Sequence, residues 1–337
     1  MRAVVLVGGF GTRLRPLTLS VPKQMLPVGH QTMLEQVVSR LGRAGVTEVV
    51  LSLGYRPDVF IDAFPDGHCA GVPLRYAQEP EPLDTAGAIA FAARSAGIDD
   101  TFLALNGDVM TDLDLVALWS RHRDAGAEAT IALTPVDDPS RYGVVTTDDA
   151  NRVLAFVEKP APGTAPSNWV NAGTYVLEPS VIDRVRPGER VSIERVIFPQ
   201  LVAERSLFAM KSDSYWLDAG TAETYLAANL DLLDGHRIDL TTAVSPDAVI
   251  DVTAKVSSSI IGPGVVVGPG AEISDSVVMA DAVVEAGASV VRSVVGSRST
   301  IGIGASVHSL SVVGFDQTVT ASQQLDGACV PAQEDWA

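Results

Sequence analysis

A glycine turn that carries arginine is the most chemically informative segment of this chain of 337 residues. The apolar residues 3–7 lead into Gly8-Gly9-Phe10-Gly11-Thr12-Arg13. Successive backbone N–H groups in such a turn can cradle phosphate oxygens as an anion-binding nest. Arg13 is placed to neutralise a transferring phosphate, and Lys23 offers a compact ammonium for a second phosphate contact. The alternative is a plain glycine turn between a strand and a helix.

The distribution of charge supports an anion site in the same segment. The chain has 41 acidic and 24 basic residues, for a formal net charge of −17, yet its first acidic residue is Glu35. The turn lacks the Gly-Lys-Ser/Thr of a Walker A loop, and Leu14 stands where a dinucleotide fingerprint requires its third glycine. The segment therefore predicts a phosphate site of another kind.

Two aspartates could hold a metal ion beside those phosphates. Asp108 lies in Asn106-Gly107-Asp108 at the end of an apolar strand, and Asp218 follows a short apolar strand just before a helix. Mg²⁺ at a phosphate-transfer site is held by one or two carboxylates together with phosphate oxygens. Each aspartate alone is more typical of a capping residue, as we expect for Asp112 and Asp114 at a helix N-terminus.

A second set of polar residues suits a phosphorylated sugar. Glu158-Lys159-Pro160 closes one predicted strand, and Asn171-Ala172-Gly173 interrupts another. Together they offer a carboxylate, an ammonium and an amide, although each alone could be a turn. Ser192 is typical of an N-cap, and Glu194, two residues later, could reach a sugar hydroxyl.

Alternating strands and helices over residues 1–235 must position these groups. The pattern predicts strands at 3–7, 48–53, 72–77, 101–105, 129–136 and 153–157, and helices at 32–44, 85–96 and 114–124. This alternation is typical of a doubly wound, Rossmann-like α/β sheet. Ligands of such sheets bind beyond the carboxyl ends of the strands, where the glycine turn and Asp108 both lie.

Residues 244–316 show a different pattern, a hexapeptide repeat. Val or Ile recurs in steps of 6, 6 and 5, a supra-period of 17, at thirteen positions from Val244 to Val312. Such repeats predict a parallel β-helix of about four coils, with an irregular Val-rich β domain as the alternative. Residues 235–242 are the expected linker. Residues 317–337 show no repeat and receive no assignment.

Composition narrows the classes of partner and compartment. The strongly negative charge argues against nucleic acid or an anionic membrane as the main partner. Two cysteines make no disulfide framework, and no apolar run approaches the roughly 18 residues of a membrane helix, so a reducing cytoplasm is expected. The five histidines show no metal-binding spacing. His308 could serve as the base of a β-helix acyltransferase, but a surface or loop histidine is favoured.

The order of these motifs resembles that of the sugar-1-phosphate nucleotidyltransferases. The resemblance covers residues 1–235, and its closest form is to the mannose-1-phosphate guanylyltransferases, where a left-handed β-helix follows the catalytic domain. The residues that carry it are Gly8–Thr18, Pro22-Lys23, Glu81-Pro82-Leu83 with Thr85-Ala86-Gly87, Asn106-Gly107-Asp108, Glu158-Lys159-Pro160, Asn171-Ala172-Gly173, and Trp216-Leu217-Asp218-Ala219-Gly220-Thr221.

The resemblance implies a reaction, a cofactor and a role for each residue. A nucleoside monophosphate would pass from a nucleoside triphosphate, best GTP, to a sugar-1-phosphate, best mannose-1-phosphate, with Arg13, Lys23 and Asp108 as catalytic residues. Mg²⁺ would be held by Asp108 and Asp218. The nucleotide would contact Gly8, Gly9, Gly11, Thr12, Arg13, Asp84 and Gly87. The sugar phosphate would contact Glu158, Lys159, Asn171, Gly173 and Glu194.

Three departures from the family pattern leave the base and the sugar open. Gln24 follows Lys23 as in thymidylyltransferases, Gly29-His30-Gln31-Thr32 replaces a usual Asn-Lys-Pro, and Asp84 replaces a usual glycine. The same chemistry with a thymidylyl, uridylyl or adenylyl group, or with an unusual sugar or cyclitol phosphate, is the first alternative. A non-catalytic regulatory paralogue is another. In either case we expect a homo-oligomer assembled through the β-helix.

Overall fold

The computed structural model describes residues 1–237 and 241–336, so residues 238–240 of the expected linker lie outside the described residues. The chain divides into two compact units. The sheet unit comprises residues 1–9 and 34–216, and the coil unit comprises residues 10–33 and 217 onward. The long connection after the first strand is thus grouped with the C-terminal repeats.

The sheet unit is built on one ten-stranded mixed sheet, which confirms the predicted Rossmann-like α/β fold. The strands are β1 (Arg2–Leu6), β2 (Glu48–Leu53), β3 (His68–Cys69), β4 (Val72–Gln78), β5 (Phe102–Asn106), β6 (Val109–Thr111, outside this sheet), β7 (Ala129–Pro135), β8 (Gly143–Thr147), β9 (Val153–Glu158), β10 (Trp169–Leu177) and β11 (Leu207–Lys211). The central strands β5, β1, β2 and β4 are parallel, while β10 pairs antiparallel with β5 and with β7. The order of strands in the sheet is β9-β8-β10-β5-β1-β2-β4-β3, and β7 pairs with both β10 and β11.

The helices of the sheet unit cover a core of small and β-branched side chains. The helices are α1 (Met33–Arg43), α2 (Pro57–Ala63), α3 (Asp84–Ser95), α4 (Leu115–Ala125), α5 (Pro179–Asp183) and α6 (Phe198–Ala203), with a π-helix at Ile193–Ile197. Helix α3 contributes mostly alanines to the core, which lets it approach the sheet closely. Asp114 caps α4 as expected, because its carboxylate accepts the Ala117 N–H at 2.9 Å.

The register of the sheet places two predicted motifs at one edge. Leu6 at the end of β1 lies opposite Asn106 at the end of β5. The glycine turn that starts at Gly8 and the turn that carries Asp108 therefore leave neighbouring parallel strands at their carboxyl ends, which is where ligands bind in this fold.

The coil unit carries three parallel sheets of five strands each, as in a left-handed β-helix. Neighbouring strands pair at a spacing of 17 residues in the first coils, for example Val249 with Val266 and Val266 with Val283. The inward residues, such as Ile261, Val278 and Val295, are fully buried and stack on one another. The strands of the coils are Val249–Ile250, Lys255–Ser257 and Ile260–Ile261; Val266–Val267, Glu272–Ser274 and Val277–Val278; Val283–Val284, Ser289–Val291 and Val294–Val295; Thr300–Ile301, Ser306–His308 and Val312–Val313; and Thr318–Val319, Gln324–Asp326 and Cys329–Val330.

The repeat continues beyond the expected end at residue 316. Val295 pairs with Val313, which lies in the core, so the inward position is Val313 and not Val312. One extra residue is accommodated at Ser309 and Leu310, which both have positive φ angles of 58° and 63°. The coils are therefore five where about four were expected, and residues 318–330 form the last one.

Further elements of the coil unit precede the repeats, and a 3₁₀ helix at Gln333–Asp335 follows them. Short 3₁₀ helices form at Thr12–Leu14, Leu17–Leu19 and Lys23–Met25, so the glycine turn leads into 3₁₀ turns. A two-stranded hairpin joins Pro27–Val28 to Gln31–Thr32. Helix α7 (Ala222–Leu230) begins at a capping box made by Thr221 and Thr224.

Candidate active site

The Asn-Ala-Gly segment forms a bulge in strand β10. The pairing of β10 with β7 shifts between Asn171 and Tyr175, and Gly173 in the bulge has a φ of +69°. A Cβ atom at Gly173 would lie only 2.7 Å from Nδ2 of Asn106. The bulge therefore packs directly against the turn that carries Asp108, and only glycine permits this approach.

Backbone contacts to strand β1 hold the Asp108 turn in place. The Gly107 N–H donates to the Leu6 carbonyl at 3.0 Å, and a Cβ at Gly107 would lie 2.9 Å from that oxygen. Asp108 is half-buried at the start of β6. The turn that carries Asp108 therefore lies beside Leu6 and Val7, directly before Gly8 of the glycine turn.

Glu194 is fixed by hydroxyl groups from two segments. Its Oε2 accepts from Thr85 Oγ1 and from Ser192 Oγ, each at 2.7 Å. Ser192 also caps the π-helix, as predicted, by accepting the Arg195 N–H at 3.2 Å. The Thr85 hydroxyl in turn accepts the Ile193 N–H at 2.8 Å, so helix α3 and the π-helix are joined at this carboxylate.

Tyr175 connects Glu194 to the bulge. The Asn171 Nδ2 donates to the Tyr175 hydroxyl at 2.9 Å. Burial, with a further contribution from the nearby Glu194 carboxylate, raises the pKa of Tyr175 well above 10. Its hydroxyl therefore stays protonated at neutral pH and serves as a fixed dipole that orients Asn171.

The Glu-Lys-Pro segment reaches the same region through Trp216. The Lys159 N–H donates to the Tyr142 carbonyl at 3.0 Å, and the Tyr142 ring meets Trp216 edge-on with centroids 5.5 Å apart. Trp216 Nε1 donates to the Ala172 carbonyl in the bulge at 3.0 Å. The Lys159 ammonium is 60% exposed and lies 3.6 Å from Glu158, so it can meet an anionic ligand.

The segment that begins helix α3 holds two of the predicted nucleotide contacts. Asp84 is exposed and has a φ of +60°, a conformation that glycine adopts more easily. Gly87 is buried, and its N–H and that of Ala86 donate to the Val191 carbonyl. A Cβ at Gly87 would lie 2.6 Å from the Glu189 carbonyl, so this glycine permits close packing of the 189–191 segment.

Glu79 is a carboxylate beside the glycine turn that no sequence motif indicated. It accepts from Ser52 Oγ at 2.9 Å and from the Leu83 N–H at 3.1 Å. A Cβ at Gly8 would lie 3.4 Å from its Oε1, whereas Gly9 has open space around it. Glu79 had no signal of its own because the recognised Glu-Pro-Leu motif begins only two residues later, at Glu81.

The coil unit brings together the remaining predicted residues. Gly11 has a φ of +62°, and a Cβ there would lie 3.3 Å from the Cβ of Lys23. Arg13 Nη2 lies 3.8 Å from Asp218 Oδ2. A Cβ at Gly220 would lie 2.7 Å from both the Arg13 guanidinium and Asp218 Oδ1. The glycine of the Trp-Leu-Asp-Ala-Gly-Thr motif therefore leaves room for this ion pair.

The predicted site residues thus fall into two groups of neighbours. In the sheet unit, contacts link the Asp108 turn, the bulge and the Glu158-Lys159 segment, and the Glu194 carboxylate acts electrostatically on Tyr175, which holds Asn171 of the bulge. In the coil unit, they link Gly11, Thr12, Arg13, Lys23 and Asp218. Asp112 differs from its expected role at a helix N-terminus, because it forms a buried ion pair with Arg40 at 2.7 Å.

One acidic cluster with a histidine lies elsewhere. Within residues 1–237 and 241–336, the ligand atoms of Asp231, Asp234 and His236 come within 4.8 Å of one another. The three residues are partly or fully exposed, and His236 Nδ1 lies 2.8 Å from Asp234 Oδ1. None of them belongs to the predicted site. No helix in the described part of the chain is long and apolar enough to cross a membrane.

Comparisons with known proteins match both parts of the chain. The "Nucleotidyl transferase" family model matches residues 2–235, and the "GMPPB C-terminal domain" model matches residues 238–334. The chain is 42% identical over 263 residues to the mannose-1-phosphate guanylyltransferase of Mycobacterium tuberculosis, a match that covers 74% of this chain and 72% of that one. It is 38% identical over 267 residues to the mannose-1-phosphate guanyltransferase of Schizosaccharomyces pombe, covering 77% and 73%. The crystal structure of HddC from Yersinia pseudotuberculosis is similar with a TM-score of 0.60 and 29% identity, covering 69% of this chain and 99% of HddC.

Proposed function

Because this chain belongs to the nucleotidyl transferase family, we propose that it transfers GMP from GTP to mannose-1-phosphate, giving GDP-mannose and pyrophosphate. Relatives that carry the guanylyltransferase name match more than two thirds of their own length at about 40% identity. The observation that carries the proposal is that the β10 bulge packs against the turn that carries Asp108. The bulge contains Asn171, which is expected to bind the sugar, and Asp108 is expected to bind the metal ion.

The sugar phosphate is proposed to bind in the sheet unit. Glu194 and Asn171 are both held by hydrogen bonds to neighbouring side chains, which presets them for the sugar hydroxyls. Gly173 is assigned to the same ligand through the backbone of the bulge that it forms. Lys159, with its exposed ammonium beside Glu158, is assigned to the phosphate of the sugar.

The triphosphate is assigned to the glycine turn and its cations. Gly8, Gly9, Gly11 and Thr12 would supply backbone donors, while Asp84 and Gly87 would lie toward the base and ribose. Arg13 and Lys23 would neutralise the phosphates that approach one another. The Arg13 guanidinium lies 3.8 Å from the Asp218 carboxylate, and this ion pair holds the guanidinium in place before a ligand binds.

The donor set of the two aspartates suits a divalent metal ion, which the family generally uses. Asp108 and Asp218 offer the hard carboxylate oxygens that Mg²⁺ prefers. The Asp218 carboxylate lies 3.8 Å from the Arg13 guanidinium, so it already serves as the partner of a cation. We assign Mg²⁺ to these two residues. When bound, it would offset the negative charge of the reacting phosphates.

The chemistry follows from two phosphates held in line. An oxygen of the sugar phosphate attacks the α-phosphorus of GTP, and the bond from that phosphorus to the bridging oxygen breaks as pyrophosphate leaves. A phosphate monoester is already a nucleophile, so no side chain has to remove a proton. Catalysis then consists of positioning and charge neutralisation. Holding both anions in near-attack geometry can supply roughly 7–11 kcal/mol.

A pyrophosphate-release assay against a panel of nucleoside triphosphates and sugar-1-phosphates tests the proposal. We expect the highest kcat/KM with GTP and mannose-1-phosphate. A higher kcat/KM with another base or sugar would overturn the substrate assignment but keep the reaction. No turnover with any pair would favour the regulatory paralogue, an interpretation that the presence of Arg13, Lys23 and Asp218 disfavours.

We also propose a cytoplasmic homo-oligomer that assembles through the β-helix. One face of that helix carries the outward residues Val249 and Val266, which are 63% and 41% exposed. Light scattering coupled to size exclusion should then give a mass that is a multiple of 35.3 kDa. A monomer at assay concentrations would contradict this assignment.

A further inference from the structure

We propose that the fourth coil of the β-helix positions the cationic segment, residues 11–26, with Gly314 as the positioning residue. This inference rests on the proposed function, which assigns the triphosphate to Arg13 and Lys23. Both cations and the repeats belong to the coil unit, so every contact in this inference lies within one compact unit. The β-helix would then take part in catalysis as well as in the assembly proposed above.

The direct contact joins Gly314, which follows the strand Val312–Val313, to Pro16 of the cationic segment. A Cβ atom at Gly314 would lie 3.3 Å from Cβ and 3.5 Å from Cγ of Pro16. Both residues are buried. The φ angle of Gly314 is not positive, so its backbone conformation does not require glycine. The missing side chain instead permits the close approach of the proline ring.

Gly314 is a firm support because its backbone is hydrogen-bonded on both sides. Its N–H donates to the Val330 carbonyl in the fifth coil at 2.7 Å, and its carbonyl accepts from Ser299 Oγ at 2.6 Å. The Ser299 hydroxyl also accepts the Gln317 N–H at 3.0 Å. A displacement of the surface on which Pro16 lies would therefore break hydrogen bonds between coils.

Hydrogen bonds connect Pro16 to residues that are assigned to the phosphates. The Leu19 N–H donates to the Pro16 carbonyl at 3.1 Å, and Thr18 Oγ1 donates to the Gly11 carbonyl at 2.8 Å. A Cβ atom at Gly11 would lie 3.3 Å from the Cβ of Lys23. The turn at Gly11 and the backbone at Lys23 are thus packed on the part of the segment that Pro16 anchors.

Arg13 stands on the exposed side of the same segment. Leu14 and Leu17 are fully buried, whereas the Arg13 side chain is 56% exposed. The guanidinium lies 3.8 Å from the Asp218 carboxylate. A displacement of Pro16, only three residues later, would therefore move the guanidinium relative to Asp218.

Helix α7 anchors the end of the segment that lies beyond Lys23. The Gly29 N–H donates to Asn229 Oδ1 at 2.8 Å, and both residues are buried. Lys23 therefore lies between two anchors, one at Gly29 on α7 and one at Pro16 on the β-helix. A change at Gly314 loosens only the second anchor, so we expect it to displace the segment and not to unfold it.

Packing of the coils alone is the competing explanation for Gly314, because a Cβ there would also lie 3.2 Å from the Val330 carbonyl. Gly302 in the same coil supplies a matched control. A Cβ at Gly302 would lie 2.7 Å from the Ala321 nitrogen, and the three heavy atoms nearest to it all belong to the fifth coil. Gly302→Ala should therefore disturb the stacking of coils at least as much as Gly314→Ala, without reaching Pro16.

The test compares Gly314→Val, Gly314→Ala and Gly302→Ala with the wild type. Hydrogen–deuterium exchange, read by mass spectrometry without substrates, measures the protection of residues 14–26, where the Leu14, Leu19 and Leu26 amides are hydrogen-bonded within the segment. Exchange of residues 318–330 reports on the coils. Pyrophosphate release gives kcat/KM for GTP and KM for mannose-1-phosphate.

We expect Gly314→Val to speed exchange of residues 14–26 about tenfold, because the segment loses one of its anchors. It should lower kcat/KM for GTP by about tenfold or more, since a misplacement of about 1 Å can cost about a hundredfold in rate. KM for mannose-1-phosphate should stay within about twofold, because its proposed site lies in the sheet unit. Gly314→Ala should give the same pattern at smaller amplitude, and Gly302→Ala should speed exchange only in the coils.

The inference is overturned if residues 14–26 exchange at the wild-type rate in both Gly314 variants, or if Gly302→Ala affects them equally. Faster exchange with an unchanged kcat/KM for GTP would also overturn it, because the contact would then not position the cations. If Gly314→Val disturbs the coils as well, Gly314→Ala decides. Failure of the proposed function is a separate outcome: the wild type would turn over no substrate pair, while exchange of residues 14–26 would still decide whether Gly314 holds the segment.

Discussion

The two units of this protein differ in how often their regular structure is interrupted and in where the interruptions occur. In the sheet unit, the candidate site residues stand where the regular fold is broken: at the bulge of Gly173, at the Gly107 turn, and at Asp84 and Lys159 with positive φ. In the repeats of the coil unit, nearly every rung follows the one before it at the same register. We therefore expect the breaks in the sheet to carry specific chemistry and the repeats to carry stability.

Stability in the repeats follows from stacking of equivalent side chains. Each coil packs on its neighbours through inward Val and Ile residues, so the free energy of folding is close to a sum over rungs and their interfaces. Before the repeats begin, the coil unit also contains an irregular region with candidate site residues, where Arg13 meets Asp218. Substitutions in each region should separate these contributions.

Loss of the Arg13 side chain should have the largest effect. We expect Arg13→Ala to lower kcat/KM about a thousandfold, equivalent to about 4 kcal/mol of transition-state stabilisation, because the phosphates lose a neutralising partner. Steady-state pyrophosphate release measures this value, and circular dichroism checks the fold. A loss smaller than tenfold would remove Arg13 from the site.

A charge placed in the β-helix core should have almost as large an effect, but on the free energy of unfolding and not on catalysis. Val307 and Ser306 are neighbours in one strand on another face of the β-helix, and Val307 is fully buried while Ser306 is half-buried because successive side chains point to opposite faces. We expect Val307→Asp to lower the free energy of unfolding by about 3–5 kcal/mol, since it buries an unpaired charge. The matched variant Ser306→Asp should change it by about 0.5 kcal/mol or less. Equal effects in urea unfolding would contradict the assignment of inward and outward faces.

A methyl group in the bulge of the sheet unit should impair activity. Gly173→Ala places a Cβ 2.7 Å from Asn106, and we expect kcat/KM for mannose-1-phosphate to fall about a hundredfold, or about 2.7 kcal/mol. Gly163 also has a positive φ, of 75°, but a Cβ atom there would have no heavy atom within 4 Å. Gly163→Ala carries the same backbone strain, so it should lose stability and keep its kcat/KM. If both variants lose activity alike, strain and not the contact with Asn106 is responsible.

Removal of the unusual Asp84 should have the smallest effect on the fold. Asp84→Gly relieves a positive φ and should stabilise the protein by up to about 1 kcal/mol. We expect the ratio of kcat/KM for GTP to that for other triphosphates to change several-fold, because a carboxylate leaves the predicted base and sugar loop. Asn151 has the same φ of 60° outside the site, so Asn151→Gly is the control. An unchanged ratio in Asp84→Gly would exclude this residue from selectivity.

Regular elements could be predicted closely from the sequence because burial repeats along them. The predicted strand at 48–53 matches β2, and the helices predicted at 85–96 and 114–124 match α3 and α4 to within one residue. Alternation of apolar runs and amphipathic segments was enough for this. The candidate site residues were proposed from motifs that combine glycine with charge, and their roles remain predictions.

What the sequence did not predict depends on contacts between distant residues or on a single-residue shift. Tyr175 looked like an ordinary core residue in an apolar strand, and only its contact with Asn171 shows its role. Arg40 and Asp112 are 72 residues apart, with no local pattern that relates them. The last coil was missed because one extra residue near Leu310 moves the inward positions to Val313 and Val319, after which the steps of 6, 6 and 5 resume.

A crystal structure of the complex with GDP-mannose and Mg²⁺ would show whether Arg13, Lys23, Asp108 and Asp218 serve one nucleotide. We predict that both aspartates coordinate the metal ion and that Arg13 and Lys23 lie within hydrogen-bonding distance of phosphate oxygens. The mannose should contact Asn171 and Glu194. A complex in which GDP-mannose binds without contact to these residues would refute the proposed site.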